Sequence, residues 1–173
     1  VFATAYDMSG KWVTSGRYTF IDNNAPLLTV NDPISGDYVA DEVTFALTTF
    51  DEFLMYSQYN VDSTGWVLST TPWNTSLVTE GAHSVVVRTT DLSGKYTEVT
   101  LSLIVDNLNP SVSVVKPVAY EFLDGLYTFQ VSAADAVGLA GVTFDLWNND
   151  TSTFEYFDEL MAKNTGTGYY EYT

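Results

Sequence analysis

The sequence predicts an all-β protein built of antiparallel β-sandwiches, and three observations lead to this prediction. Val, Thr, Tyr, Phe and Ile, which favour strands, are abundant. Several short segments alternate apolar and polar residues, which is the period of a half-buried strand. Turn-forming residues separate these segments at the spacing that is typical of sandwich proteins.

The clearest predicted strand covers residues 97–105, a long and clearly alternating segment. Shorter alternating segments predict further strands at residues 43–47, 84–89 and 127–131. Gly with neighbouring polar residues indicates turns at residues 35–37, 63–65, 93–94 and 166–168. Residues 154–163 contain helix formers and a late Lys, but their Thr-rich and aromatic flanks favour a β-hairpin instead.

An internal repeat gives the domain organisation. When Asp7 is placed on Asp91, residues 7–48 align with residues 91–132 without a gap, and 11 of the 42 pairs are identical. The identities fall mainly at turn residues, while apolar pairs such as Leu47 and Val131 keep the same face. A duplicated sandwich requires this combination, because turns and inward faces are the positions that a shared fold constrains.

The length of the repeat suits a seven-stranded sandwich of the immunoglobulin class. Residues 22–26 read Asp-Asn-Asn-Ala-Pro and predict a linker, since Pro stiffens the chain and lacks an amide donor. On this basis residues 1–21 are the last strands of a preceding repeat, and residues 22–105 are one complete immunoglobulin-like repeat. Residues 106–173 then form a further repeat that lacks its last strands.

These motifs resemble the tandem immunoglobulin-like repeats of bacterial and archaeal cell-surface proteins. The resemblance rests on Asp-x-Ser-Gly-Lys at residues 7–11 and 91–95, and on a strand that ends in Val-Asp-Asn-x-x-Pro at residues 105–110. A further Asp-x-x-Gly motif lies at residues 135–138, although Leu54 replaces its Gly in the preceding unit. The resemblance implies a surface-layer, adhesin, filament or spacer protein.

Composition excludes several other classes of function. The 22 acidic and 6 basic residues give a net charge of −16, which disfavours binding to nucleic acid or to anionic lipid. The acidity belongs to each repeat, with −9 in residues 22–105 and −8 in residues 106–173. The chain has no Cys and therefore no disulfide or thiolate metal site, and no apolar segment is long enough for a membrane span.

Asp and Asn residues cluster at the predicted junctions between repeats and are candidate calcium ligands. The predicted ligands are Asp22, Asn23, Asp91, Asp106, Asn107 and Asp135. Calcium takes six to eight hard oxygen ligands, and carboxylates and amides supply them. Residues 22–26 also resemble cadherin linkers, in which calcium stiffens the joint, and the loops of Asp51 and Asp135 can approach the same end of a sandwich. The alternative is that these residues only form turns.

Two sequons and two tryptophans are further candidates for surface chemistry. Asn74 and Asn149 begin Asn-x-Ser/Thr segments and are predicted glycan acceptors in loops. Trp66 and Trp73 flank a polar stretch rich in Thr and Pro, so they are the best candidates for exposed rings that stack on sugars. Core packing is the alternative for both tryptophans.

No pattern in the sequence indicates catalysis. His83 is the only His and precedes the apolar residues 85–87, which predicts a position at a strand edge and not a general base. Adjacent acids such as Asp41 and Glu42 point to opposite faces of a strand and cannot share a cleft. We therefore expect a protein that is not an enzyme.

The sequence thus predicts a structural segment of a prokaryotic cell-surface protein, located outside the cell. Its predicted partners are neighbouring repeats and further copies of itself in a lattice or filament. The alternatives are an adhesin stalk, a carbohydrate-binding module, or spacer domains of a secreted enzyme.

Overall fold

The computed structural model describes all 173 residues, and strands dominate it. The first eleven strands are β1 (Phe2–Tyr6), β2 (Trp12–Gly16), β3 (Leu27–Asp32), β4 (Tyr38–Val39), β5 (Glu42–Val43), β6 (Ala46–Phe50), β7 (Leu54–Val61), β8 (Val67–Leu68), β9 (Trp73–Asn74), β10 (Gly81–Asp91) and β11 (Tyr96–Val105). The others are β12 (Ser111–Lys116), β13 (Phe129–Ala134), β14 (Thr143–Asn148), β15 (Thr153–Leu160), β16 (Ala162–Lys163) and β17 (Tyr170–Tyr172). The only helix is a 3₁₀ turn at Thr75–Leu77, so none could cross a bilayer.

Residues 27–105 form an immunoglobulin-like sandwich, which confirms the predicted fold class. One sheet has the strand order β4-β11-β10-β7-β8, and the facing layer contains the pairs β3–β6 and β5–β9. The two layers meet in a core of Val43, Phe45, Tyr59, Val61, Trp73, Val85, Val87, Leu101, Leu103 and Val105. The inward residues of β10 and β11 are the most deeply buried, because these strands lie at the centre of the larger sheet.

The segment that the alternation predicts as one strand over residues 43–47 is divided between two strands. β5 pairs with β9, whereas β6 pairs with β3. Val43 and Phe45 are buried and Leu47 is half-buried, so the alternation of faces continues through the break. The chain changes its hydrogen-bonding partner within the segment while it keeps the same side chains in the core.

The hairpin β1–β2 repeats the geometry of β10–β11. Tyr6 pairs with Trp12 in the first hairpin, and their repeat equivalents Thr90 and Tyr96 pair in the second. The Asp that opens each turn accepts hydrogen bonds from the amides two and four residues later. The sequence repeat is therefore also a repeat of strand register.

Residues 111–172 form a second, smaller core. β12-β13-β17-β16 make one sheet, and β14–β15 make a separate hairpin that contains most of the segment for which a helix was the rival prediction. Val131, Val142 and Met161 are buried, and Phe144 lies 5.0 Å from the ring of Phe129 and 4.8 Å from that of Tyr172. The β14–β15 hairpin has no third strand beside it. In the first sandwich, by contrast, the pair β7–β8 is extended by β10 on the other side of β7. The repeat boundaries at residues 22 and 106 stay predictions.

Candidate metal centre

Three Asp side chains from different segments meet at one end of the sandwich. Asp22 precedes β3, Asp51 lies between β6 and β7, and Asp91 ends β10. One carboxylate oxygen of each lies within 4.8 Å of the corresponding oxygens of the others. We call these three residues the aspartate triad. The structure thus brings together two predicted ligands, Asp22 and Asp91, and adds Asp51, which the predicted ligand set omits.

Backbone amides that follow each Asp of the triad hold its carboxylate in place through one oxygen. The amide two residues later donates to Oδ1 at 3.1 Å for Asp22, 2.7 Å for Asp51 and 2.7 Å for Asp91. Asp91 Oδ1 also accepts from the amide of Lys95 at 3.0 Å. Asp forms such turns readily, because its short side chain reaches the following backbone amides. The turns fix the carboxylates before any ligand binds.

The second oxygens of Asp22 and Asp91 are buried and make no hydrogen bond. Asp91 is only 1% exposed, so its Oδ2 has neither water nor a protein donor beside it. Burial raises the pKa of Asp91, but the hydrogen bonds from Ser93 and Lys95 outweigh burial and leave the pKa below its usual value. The group is therefore a carboxylate at neutral pH, and a buried anion with a free oxygen is costly unless a cation or donor meets it.

No basic side chain lies within 4.0 Å of the triad's carboxylate oxygens. The Lys95 ammonium, the nearest candidate, donates instead to the backbone carbonyl of Asp22 and to the Ser93 hydroxyl. These bonds tie the linker to the β10–β11 turn without neutralising the carboxylates through a salt bridge. The triad has three acidic groups and no ion-pair partner in the protein.

A related pair of carboxylates occurs one repeat later. In the alignment of the two repeats, Asp106 corresponds to Asp22 and Asp135 corresponds to Asp51. Each has a buried oxygen, Oδ1 in Asp106 and Oδ2 in Asp135, without a hydrogen-bond partner. Burial and the nearby charges of Asp135 and Glu80 raise the pKa of Asp106, whereas backbone hydrogen bonds in its own turn lower that of Asp135. Asp22 and its equivalent Asp106 are therefore both left with an unpaired oxygen.

The two predicted Asn ligands lie outside the triad. Asn23 is exposed. The side-chain oxygen of Asn107 accepts from the Asp41 amide at 3.0 Å and from the Thr75 hydroxyl at 2.9 Å. The Asn107 amide donates to Glu80 Oε2 at 2.8 Å. Asn107 thereby joins the segment after β11 to the loops at the opposite end of the sandwich, and a ligand role for either Asn stays a prediction.

His83 is buried in β10 with both ring nitrogens bonded. Nδ1 lies 2.6 Å from Asp62 Oδ2, and Nε2 lies 2.7 Å from the Thr79 carbonyl. A carbonyl and a carboxylate are both acceptors, so the protonated ring, which has two N–H donors, satisfies both contacts. Burial lowers the pKa of His83, but the bonds to Asp62 and Thr79 outweigh burial and raise the pKa above 6.5. The hydrogen bond from His83 is the main cause that lowers the pKa of Asp62.

This contact predicts a pH dependence of stability. Because the folded protein holds the His83 proton more tightly than the unfolded chain, the stabilisation is complete below pH 6.5 and is lost as the pH rises through the folded pKa. We therefore expect the free energy of unfolding of the wild type to fall as the pH rises from 6.5 through the folded pKa of His83. Urea titration at successive pH values measures this change.

The His83→Gln variant provides the control for this dependence. His83 is the only His of the chain, so the variant should show a much flatter profile between pH 6 and 8, the range in which His residues usually titrate. NMR titration of the wild-type ring should give a pKa above 6.5. An equal slope in both proteins would contradict the prediction.

Of the two tryptophans predicted as exposed rings, Trp73 is buried and Trp66 is half-buried. Trp73 is 5% exposed and packs in the core, with its ring 6.3 Å from that of His83, so the prediction of an exposed platform is wrong for this residue. Its position in β9, opposite Val43, turns the side chain into the sandwich. Trp66 is half-buried, and the Arg88 guanidinium lies 4.0 Å from the centre of its ring.

Both sequon asparagines are exposed. Asn74 caps the 3₁₀ turn, and its Oδ1 accepts from the amide and the hydroxyl of Ser76 at 3.0 and 2.6 Å. Asn149 lies in the turn between β14 and β15. Each side chain is accessible, and glycosylation of either stays a prediction.

Comparisons with known proteins give no family, and the similar solved structures have low overall similarity. No protein-family model matches the sequence, and no curated protein matches it. A structure of an endo-β-1,4-mannanase from Thermotoga petrophila is similar over 50% of this chain and 21% of its own, with 14% identity and a TM-score of 0.44. Fibronectin(III)-like modules of CbhA from Clostridium thermocellum are similar over 84% of this chain and 77% of theirs, with 15% identity and a TM-score of 0.40. The chain thus spans about one fifth of the mannanase.

Proposed function

We propose that this chain is a structural segment of a prokaryotic cell-surface protein, in which tandem immunoglobulin-like sandwiches form an acidic rod. The repeated register of the β1–β2 and β10–β11 hairpins supports this proposal most directly. Two hairpins with the same turn and the same pairing, at equivalent positions of successive repeats, are what a tandem array produces. A domain with one specialised site has no need of such a repeat.

The charge distribution supports an extracellular, self-associating role. Net charges of −9 and −8 in the two successive units keep a rod hydrated and attract cations from the medium. The rod associates through its sides into a surface layer or filament, with neighbouring repeats as its other partners. Exposed apolar side chains are available for such contacts, among them Tyr120 and Phe122. Glycans on Asn74 and Asn149 would lie on the same outer surface.

The environment of His83 supports a role without catalysis. Both of its nitrogens bond to groups of the same sandwich, so the ring has no free nitrogen that could act as a base. The chain has no other His and no Cys that could act in its place.

Electron microscopy combined with analytical ultracentrifugation tests the structural role. We expect an elongated particle that assembles into sheets or filaments as the protein concentration and the concentration of divalent cations increase. A compact particle that stays monomeric at every concentration would contradict self-association and favour a spacer of a secreted enzyme.

A carbohydrate-binding function is the second candidate because two aromatic rings, those of Trp66 and Tyr96, lie beside Arg88 of the larger sheet. The Arg88 guanidinium lies between the rings of Trp66 and Tyr96, at 4.0 and 4.2 Å from their centres. Tyr96 is 51% exposed and offers its ring to solvent. Glycan-array binding that is lost in the Tyr96→Ala variant would favour this function over the purely structural one.

A further inference from the structure

We propose that Asp22, Asp51 and Asp91 together bind one calcium ion, which fastens the linker before β3 to two loops of the sandwich. This inference goes beyond the structural role proposed above and does not depend on it. An adhesin stalk or an enzyme spacer could carry the same ion.

The triad has no salt-bridge partner, and only the more distant charge of the Lys95 ammonium offsets its own. Three carboxylates repel one another when their oxygens lie within 4.8 Å, and no basic side chain pairs with them. Asp91 is almost completely buried, and its Oδ2 has no hydrogen-bond donor. The turn at each Asp needs only the hydrogen bond to Oδ1, and that bond is present in all three. Turn formation therefore does not explain why the second oxygens of Asp22 and Asp91 are buried.

Calcium fits the donor set better than other common cations. Every side-chain ligand is a hard oxygen, which disfavours ions that prefer nitrogen or sulfur. Magnesium usually keeps several waters and takes only one or two carboxylates, whereas calcium accepts a larger and more flexible set of oxygen ligands. Three carboxylates from three separate segments therefore suit calcium better than magnesium. Backbone carbonyls and water would complete the coordination of the ion.

The recurrence of unpaired oxygens supports a built site over a chance cluster of acids. Asp106 repeats the position of Asp22, and each of the two has a buried oxygen without a hydrogen-bond partner. In the triad, hydrogen bonds to Oδ1 hold the carboxylates in place before the ion arrives, which reduces the entropic cost of binding. The position of Asp22 and Asp106 thus carries an unpaired carboxylate oxygen in both repeats.

Thermal unfolding with excess calcium and with a chelator tests the proposal. Calcium should raise the melting temperature of the wild type, because an ion that binds only the folded state stabilises it. Asp91→Asn keeps the oxygen that accepts from Ser93 and Lys95 but removes one charge of the triad. We expect this variant to melt below the wild type in both conditions, because the Asp91 carboxylate also accepts the hydrogen bonds of its turn. The difference should be clearly larger in calcium than in chelator, because only the calcium-bound protein also loses an ion ligand.

Calorimetric titration with calcium chloride measures the site directly. We expect Asp91→Asn and Asp51→Asn each to weaken calcium binding by about tenfold or more, because the number of charged ligands sets the affinity of such sites. Measurement of both variants keeps the test valid if one of them fails to fold.

Asp7→Asn is the matched control. Asp7 forms the same turn, with Oδ1 accepting from the amides of Ser9 and Lys11 at 2.8 and 2.9 Å, but it lies outside the triad. This variant should keep the full response to calcium. Three results would each overturn the proposal: no calcium-dependent rise in the wild type, the same loss for Asp91→Asn in calcium and in chelator, or an equal response to magnesium.

Discussion

Replacement of Leu103 by Ala is expected to lower the free energy of unfolding of the sandwich at residues 27–105 by about 2–5 kcal/mol. Leu103 is 0% exposed and lies on β11, at the centre of the larger sheet. The side chain packs between the two layers, so its loss removes buried apolar contact and leaves a cavity that rigid neighbouring strands cannot fill. Hydrogen exchange of the β10 and β11 amides measures the loss in this sandwich specifically.

Leu108→Ala provides the control for this substitution. Leu108 is 57% exposed and lies in the segment between β11 and β12. The same change of side chain should alter the free energy of unfolding by no more than about 0.5 kcal/mol, because little apolar surface returns to water. Similar losses at the two positions would show that Leu103 is not in a packed core.

Replacement of Asn107 by Ala is expected to lower the free energy of unfolding by about 1–3 kcal/mol. The side-chain oxygen of Asn107 accepts from the Asp41 amide and the Thr75 hydroxyl, and Thr75 is completely buried. Truncation removes the side-chain acceptor of the Asp41 amide and leaves the buried Thr75 hydroxyl with the Asp41 carbonyl alone, so hydrogen bonds are lost at a partly buried site. Urea unfolding followed by the fluorescence of the nearby buried Trp73 measures the change.

Asn23→Ala is the matched control, because Asn23 occupies the same position in the repeat one unit earlier. Its side chain is exposed and outside the triad, so truncation should have almost no effect on unfolding. Equal destabilisation by the two variants would contradict the assigned role of Asn107 at the end of the sandwich.

The alternation of residues was sufficient to predict the central strands. Residues 97–105 alternate clearly from Val99 to Leu103, and the structure places them in β11, with one face in the core. The internal repeat also predicted that residues 7–11 and 91–95 form equivalent turns. These features depend on local pattern and self-similarity, which the sequence displays directly.

Other features depend on tertiary partners and were not predictable from local pattern. The break between β5 and β6 arises because the strand changes partner from β9 to β3, although the alternation of faces does not change. Trp73 has polar neighbours in the sequence and was expected at the surface, but pairing with β5 turns it into the core.

The candidate metal centre was predictable in part. The linker and turn positions indicated Asp22 and Asp91 as ligands, but the meeting of three loops at one end of the sandwich depends on the fold. Asp51 was the missing member, although its match with Asp135 in the alignment of the repeats was a usable signal. Asn107 was predicted as a ligand because it adjoins Asp106; its side-chain oxygen accepts from the Asp41 amide and the Thr75 hydroxyl, and its ligand role stays a prediction.

The short strand β4 has a consequence for how the sandwich withstands mechanical tension. β4 runs parallel to β11, and backbone hydrogen bonds link Ile104 to Asp37 and Asp106 to Val39. These strands lie towards opposite ends of the unit's sequence, so a pull along the chain moves them in opposite directions past each other. Hydrogen bonds across parallel strands are then loaded together in shear and do not open one after another. Such a unit is suited to carry a load along the chain.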